Sequence, residues 1–132
     1  GEKCRHFPQK KFDFYDEDGN MYACHEKLVK FLTPGETPKR GDESPLGVRT
    51  FRKIGPALLI DSMVTIFNSI KKYGPELALD RVIRSNIMPS LEGLERNEIR
   101  CMFLHAKEVL GPTSIVTETL DRMANSDSLS LF

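Results

Sequence analysis

Arg96, Asn97 and Arg100 stand near the start of an amphipathic stretch, LERNEIRCMFLHAKEVL, over residues 94–110. Arginine can grip a guanine edge and asparagine an adenine edge through paired hydrogen bonds. These residue types near a helix N-terminus therefore suit the reading of a DNA major groove. The same residues also suit a solvated helix face. Other chemistries are poorly provided for. His6, His25 and His105 have no recognisable nucleophile motif beside them, no paired acids suggest glycoside hydrolysis, and there is neither a Walker motif nor a dinucleotide fingerprint. Cys101 and His105 lie at helical spacing, which makes a nucleophile and base only if both escape the core. Cys4, His6, Cys24 and His25 offer four zinc donors, but adjacent Cys24 and His25 cannot easily point at one metal, and the first pair is not a standard knuckle. The acidic run Asp16-Glu17-Asp18 fails as a calcium loop on register: with Gly19 as the loop glycine, Phe14 falls at the first ligand position and His25 where a bidentate Glu belongs. The expectation is a protein without catalytic residues, metal or cofactor.

The elements that must position these residues are legible from periodicity. Ile99, Met102, Phe103, Ala106, Val109 and Leu110 recur at three- and four-residue steps, so one stripe of a helix enters the core while Arg96, Asn97, Arg100 and Lys107 lie off it. Gly111-Pro112 stops that run. Upstream, Gly55-Pro56 opens the most hydrophobic element. Leu59, Met63, Ile66, Phe67 and Ile70 give it a wide apolar stripe and the expected centre of the core. Tyr73-Gly74 ends it and Pro75 starts a short helix buried through Leu77, Leu79, Val82 and Ile83, which closes in Arg84-Ser85-Asn86. Ser114 can cap a last helix with Ile115, Leu120 and Met123 inward. Nearer the N-terminus, Phe12 and Phe14 alternate with polar residues, Asp18-Gly19-Asn20 supplies turn chemistry and Met21-Tyr22-Ala23 returns, so residues 12–24 predict a small hairpin. A short helix over 25–32 follows, then a long loop over 33–47 rich in Pro, Gly and charge. The sequence thus predicts a mainly α fold, a compact bundle of about five helices with a small N-terminal β-hairpin. A flexible basic arm over 1–11 precedes one domain over 12–124, and a polar tail follows over 125–132.

Composition bounds the function classes. A chain of 132 residues with 39% hydrophobic and 29% charged residues is large enough for one real core. Its three scattered cysteines suggest a reducing compartment rather than a disulfide framework. No apolar run reaches membrane-spanning length, and residue 1 onward lacks a signal peptide's apolar segment. The formal net charge of zero weighs against a nucleic-acid partner, yet a neutral total can hide segregated patches. Over residues 48–110 ten cations face seven acids, and Arg49, Arg52 and Lys53 fall within six residues of one another in VRTFRK. The helical middle is the expected place for a positive face.

The order of elements resembles the BEN domain, a small all-helical DNA-binding and interaction module of nuclear regulators. LLIDSMVTIF looks like its hydrophobic helix ending in an aromatic, LALDRVIRSNIMPS like its short helix running into a Ser-rich turn, and LERNEIRCMFLHAKEVLG like its last core helix. The similarity covers residues 48–110. The chain departs from the pattern after the Ser-rich stretch, where the usual basic, glycine-containing turn is reduced to Pro89-Ser90 and Gly93. The resemblance implies a nuclear transcription regulator that binds double-stranded DNA, with the last core helix in the major groove. It makes Asn97 and Arg100 base readers, with Arg96 reading or steering. Arg84, Ser85 and Asn86 would contact phosphate or the neighbouring minor groove, Arg49, Arg52 and Lys53 would clamp phosphates, and Lys107 would complete the DNA-facing set. A second copy of the chain, or a corepressor or coactivator, would be a further partner. The competing expectation is a protein-interaction or oligomerisation module of a regulatory or viral assembly, in which Phe- and Met-rich faces meet the partner and the cations only solubilise.

Overall fold

Helix α1 (Asn20–Leu32) starts at Gly19, whose φ of 74° places the N-cap in the left-handed region that glycine adopts without steric cost. Met21, Cys24, Leu28, Phe31 and Leu32 are buried along one side of it. The computed structural model describes residues 19–34 and 44–125. A 3-10 turn (Val48–Thr50) then leads into α2 (Pro56–Tyr73), which is followed at once by α3 (Pro75–Val82). A π-turn (Ile83–Ile87) and a 3-10 turn (Met88–Leu91) carry the chain to α4 (Arg96–Val109) and α5 (Ile115–Asn125).

Punctuation residues account for most boundaries. Pro56 and Pro75 occupy the first helical positions, where a missing N–H costs nothing. Gly74 between them has a φ of 84°, so the chain turns from one helix into the next in a single residue. Helix α4 begins in a capping box: the Glu95 N–H donates to Glu98 Oε1 at 2.9 Å, and the Glu95 side chain accepts from the backbone of Glu98. Gly111, at a φ of 97°, separates α4 from α5, and these two helices form the most extensive pairing of the fold.

The core runs from α1 through the two turns to α4 and α5. Phe31, Leu28, Ile83, Ile87, Met88, Leu91, Ile99, Met102 and Leu120 are all fully buried. Each such side chain contributes roughly 1.5–3 kcal/mol through removal of apolar surface from water. Three expectations are corrected by the packing. Helix α2 flanks the core rather than centring it: Met63 and Ile66 are buried, Leu59 and Ile70 are half-buried, and Phe67 is 41% exposed. The irregular turn between α3 and α4 fills the centre instead. The return strand expected at Met21-Tyr22-Ala23 is helical, because the Met21, Cys24 and Leu28 spacing gives this segment a buried helical stripe. The outgoing strand at Phe12 and Phe14, the arm over 1–11 and the tail beyond 125 lie outside the described residues. Leu77, expected inward, is 37% exposed while Ala78 takes the core position. Among the described residues no helix is long and apolar enough to cross a membrane.

Two polar details lock the bundle. Gly47 lies against the end of α1, where a Cβ would collide with the backbone carbonyl of Thr33 and approach the Phe31 carbonyl oxygen to 3.0 Å. Asp80, buried on α3, caps α5 from outside that helix. Its carboxylate accepts from Ser114 Oγ at 2.8 Å and from the Ile115 N–H at 3.1 Å, while Ser114 Oγ accepts from the Val116 N–H at 3.1 Å. Burial raises the Asp80 pKa above its ordinary 3.8, with the nearby Glu76 charge adding to it; the two hydrogen bonds and Arg84 pull the other way.

Gly47→Ala should destabilise the chain by about 2 kcal/mol or more, since backbone atoms rather than a flexible side chain must give way. Urea unfolding near the wild-type midpoint would disprove the close approach. Asp80→Ala should cost about 1–2 kcal/mol as a lost helix cap. For Asp80 the folded chain holds the proton more tightly than the unfolded chain. The stability this proton contributes is therefore fully present below pH 3.8 and is lost as pH rises through the raised folded value. The stability gap between wild type and Asp80→Asn should move in favour of the wild type as pH falls from about 7 towards about 4. Urea titrations of both proteins at each pH would reveal the opposite drift if burial did not dominate.

Candidate nucleic-acid interface

The N-terminal turn of α4 presents Arg96 and Asn97 on its exposed side. Glu95 and Glu98 close the capping box, each side chain accepting from the backbone N–H of the other residue. Asn97 has no hydrogen-bond partner among the described residues, which leaves its amide to solvent. One turn on, Arg100 Nη2 donates to Asn125 Oδ1 at 2.9 Å. Asn125 Nδ2 in turn donates to both the carbonyl and the carboxylate of Asp121, each at 2.9 Å. The carboxamide thus joins the start of α4 to the end of α5 and fixes the direction of the arginine. Lys107 lies at the far end of α4, its ammonium 5.5 Å from the Phe103 ring centroid.

The VRTFRK segment does something different from what its charge suggests. Arg52 Nε donates to the Ser90 carbonyl at 2.8 Å and Arg52 Nη2 to the Glu92 carbonyl at 3.1 Å, so one guanidinium spans the turn that precedes α4. Arg49 Nε donates to the Ile54 carbonyl at 3.1 Å. Both arginines satisfy backbone acceptors that no helix or sheet provides for. Lys53 is exposed.

In the π-turn, Arg84 and Ser85 point outward while Asn86 turns in and donates from Nδ2 to Ser62 Oγ of α2 at 3.1 Å. Ser85 Oγ lies 3.2 Å from Asn86 Oδ1 as its donor. Arg84 and Ser85 also line a groove of about 500 Å³ between α2, α3 and α5. Arg81, Arg122, Tyr73 and Thr119 line the same groove. The Arg81 guanidinium carbon lies over the Tyr73 ring at 4.2 Å from its centroid, and the Lys72 ammonium approaches the same ring at 5.3 Å. Of the residues singled out in the sequence, Arg84 and Ser85 share this groove. Arg96, Asn97 and Arg100 share the first turns of α4. Arg49 and Arg52 instead brace loops. Arg122 falls outside the stretch whose charges segregate in sequence, and Arg81 shows there only as one charge among ten. The Tyr73 and Arg81 pair, eight residues apart across Gly74-Pro75, is the one sequence signal for the groove.

Cys4 and His6 of the candidate zinc set lie outside the described residues. Cys101 is 3% exposed. His105 stacks on Phe31 at a centroid distance of 6.3 Å, and its Nε2 lies 2.6 Å from the Lys30 carbonyl oxygen, which holds the ring against α1. Among the described residues no three His, Cys, Asp or Glu side chains converge on a possible metal position. Comparison with family models, with curated proteins and with solved structures returns no match.

Arg52→Ala should lower stability by about 1.5–3 kcal/mol, as for the loss of hydrogen bonds from a charged donor, and Arg52→Lys should not restore it, because a single ammonium cannot span two carbonyls. Lys53→Ala should leave stability within about 0.5 kcal/mol of wild type. Equal urea midpoints for Arg52→Ala and Lys53→Ala would remove the bracing role.

Proposed function

We propose that this chain binds double-stranded DNA as the helical module of a nuclear transcription regulator, with the first turn of α4 meeting base edges in the major groove. The observation that carries this reading is the exposed Asn97 amide beside Arg96 and ahead of Arg100, on a helix start whose acids are engaged in capping. An asparagine with both amide atoms uncommitted can make the paired contact to adenine. Arg100, directed by Asn125, is held as a donor rather than swinging freely. The BEN-domain resemblance of residues 48–110 supports the same helix in the same role. In this reading Arg96 steers or reads, Lys53 and Lys107 meet phosphates, and Arg84 and Ser85 approach the flanking backbone. Arg49, Arg52 and Asn86 support it through the turns and the α2 contact they hold.

A second reading is a protein-interaction module that pairs with another copy or with a corepressor or coactivator. It is favoured by the exposure of three large apolar side chains, Tyr22 at 70%, Phe67 at 41% and Leu77 at 37%.

Selection of a bound duplex from a random pool, followed by gel shifts at two salt concentrations, tests the first reading. Asn97→Ala and Arg100→Ala should each weaken the selected duplex by roughly 1–3 kcal/mol and relax one base position. Lys53→Ala should weaken selected and scrambled duplexes alike and lower the salt slope by about one. If Asn97→Ala and Arg100→Ala lost as much affinity for scrambled as for selected duplex, base reading by α4 would be refuted.

A further inference from the structure

The groove between α2, α3 and α5 has an unusual charge inventory. Three guanidiniums, Arg81, Arg84 and Arg122, line it from α3, the π-turn and α5, and among the described residues no carboxylate does. None of the three pairs with a described carboxylate. Two acids adjoin these arginines in sequence and both have hydrogen-bond partners on α5: Asp80 caps that helix through Ser114 and Ile115, with Arg84 near enough to act on its charge, and Asp121 accepts from Asn125. The Arg81 guanidinium carbon lies over the Tyr73 ring, 4.2 Å from its centroid, a cation–π contact that uses none of its N–H groups on a carboxylate. Arg122 has one long contact, 3.4 Å to Thr119 Oγ1.

The hydroxyls of the groove sharpen its chemistry. Thr65 donates to the Asp61 carbonyl at 3.0 Å, Ser69 to the Thr65 carbonyl at 2.8 Å and Thr119 to the Ile115 carbonyl at 2.8 Å. Their hydrogens are spent on the helix backbone, so these oxygens can only accept. Donation into the groove falls to the guanidiniums and the Tyr73 hydroxyl. A carboxylate offers two oxygens in one plane, enough for a single bidentate arginine. Guanidiniums arriving from three elements match an anion with oxygens in several directions, and phosphate is that anion. The groove also joins the surface discussed above: Arg122 lies three residues before Asn125 on α5, so helical spacing sets it beside the residue that receives Arg100.

We propose that this groove seats a phosphate group on Arg81, Arg84 and Arg122 and, resting on the duplex-binding reading, that the phosphate belongs to the DNA backbone flanking the bases met by α4. The phosphate-clamping role that the family resemblance implies for Arg49 and Arg52 thereby passes to α3, the π-turn and α5. The groove carries no base recognition. It sets register and contributes counterion release.

The test uses the 132-residue chain, with Arg122→Gln, Arg84→Gln and the control Lys71→Gln, an exposed lysine of α2 outside the groove. Each arginine variant should bind duplex roughly three- to ten-fold more weakly, equally on selected and scrambled sequence, with a salt slope lower by about one; Lys71→Gln should match wild type. Thermal melts that coincide with wild type would confirm that folding is unchanged, as the exposure of these side chains leads one to expect. In a second arm, inorganic pyrophosphate is titrated while the arginine Nε–Hε resonances are followed by NMR. Saturable shifts confined to the groove arginines, lost in Arg122→Gln, support the phosphate seat on their own. Should pyrophosphate bind there while wild type retains no duplex, the seat stands and its DNA source falls with the duplex reading. Duplex binding unchanged in both arginine variants overturns the DNA seat even if α4 reads bases, and absence of both pyrophosphate shifts and duplex loss overturns the site altogether.

Discussion

One buried carboxylate sets the geometry on which the surface depends. Asp80 reaches from α3 to the first residues of α5 and supplies acceptors that the helix start would otherwise lack. With its first turn pinned there, α5 runs antiparallel beside α4, bringing Thr119 and Arg122 to the groove and Asn125 to Arg100. The aspartate is costly to bury, which is why its proton is held more tightly than in water. The arrangement persists because three polar groups at the helix start share the load.

Side chains that resemble binding groups in sequence divide in the fold between bracing and presenting. Arg52 and Arg49 brace: each finds a backbone carbonyl in an irregular segment, and the turn before α4 would lose its fixed shape without Arg52. Asn86 braces the π-turn against α2 through Ser62. Asn97, Arg84 and Arg122 present, because the elements beneath them are already satisfied by their own caps and apolar contacts. For the two arginines the division follows from unmet backbone acceptors rather than from residue type.

That distinction marks how far the sequence could be read. The helix limits at Pro56, at Gly74-Pro75 and at Gly111-Pro112 were legible because proline and glycine act through their own backbone restrictions, independent of tertiary context. The buried stripe of α4 followed from spacing alone, with Ile99, Met102 and Ala106 inside. The start of α1 was not legible, since Asp18-Gly19-Asn20 is turn chemistry that serves a hairpin and a helix entry equally well. Nor was the core position of α2: hydrophobicity says how much a helix would bury, and only the tertiary arrangement shows that Ile83, Ile87 and Met88 occupy the centre first. The groove was hidden for a related reason, because Arg122 joins Arg81 and Arg84 from far along the chain, and only the fold shows that Asp80 and Asp121, their sequence neighbours, have partners on α5.

The π-turn at Ile83–Ile87 carries a consequence of its own. A single α-helical residue advances the chain by about 100° around the axis, so a widened loop of backbone hydrogen bonds is a matter of angular phase. Ile83 and Ile87 both reach the interior while Arg84 and Ser85 look outward. Shortening this bend by one amino acid would rotate everything downstream against everything upstream. The phase of that one widened loop thus holds the outward guanidinium and the inward isoleucine in step.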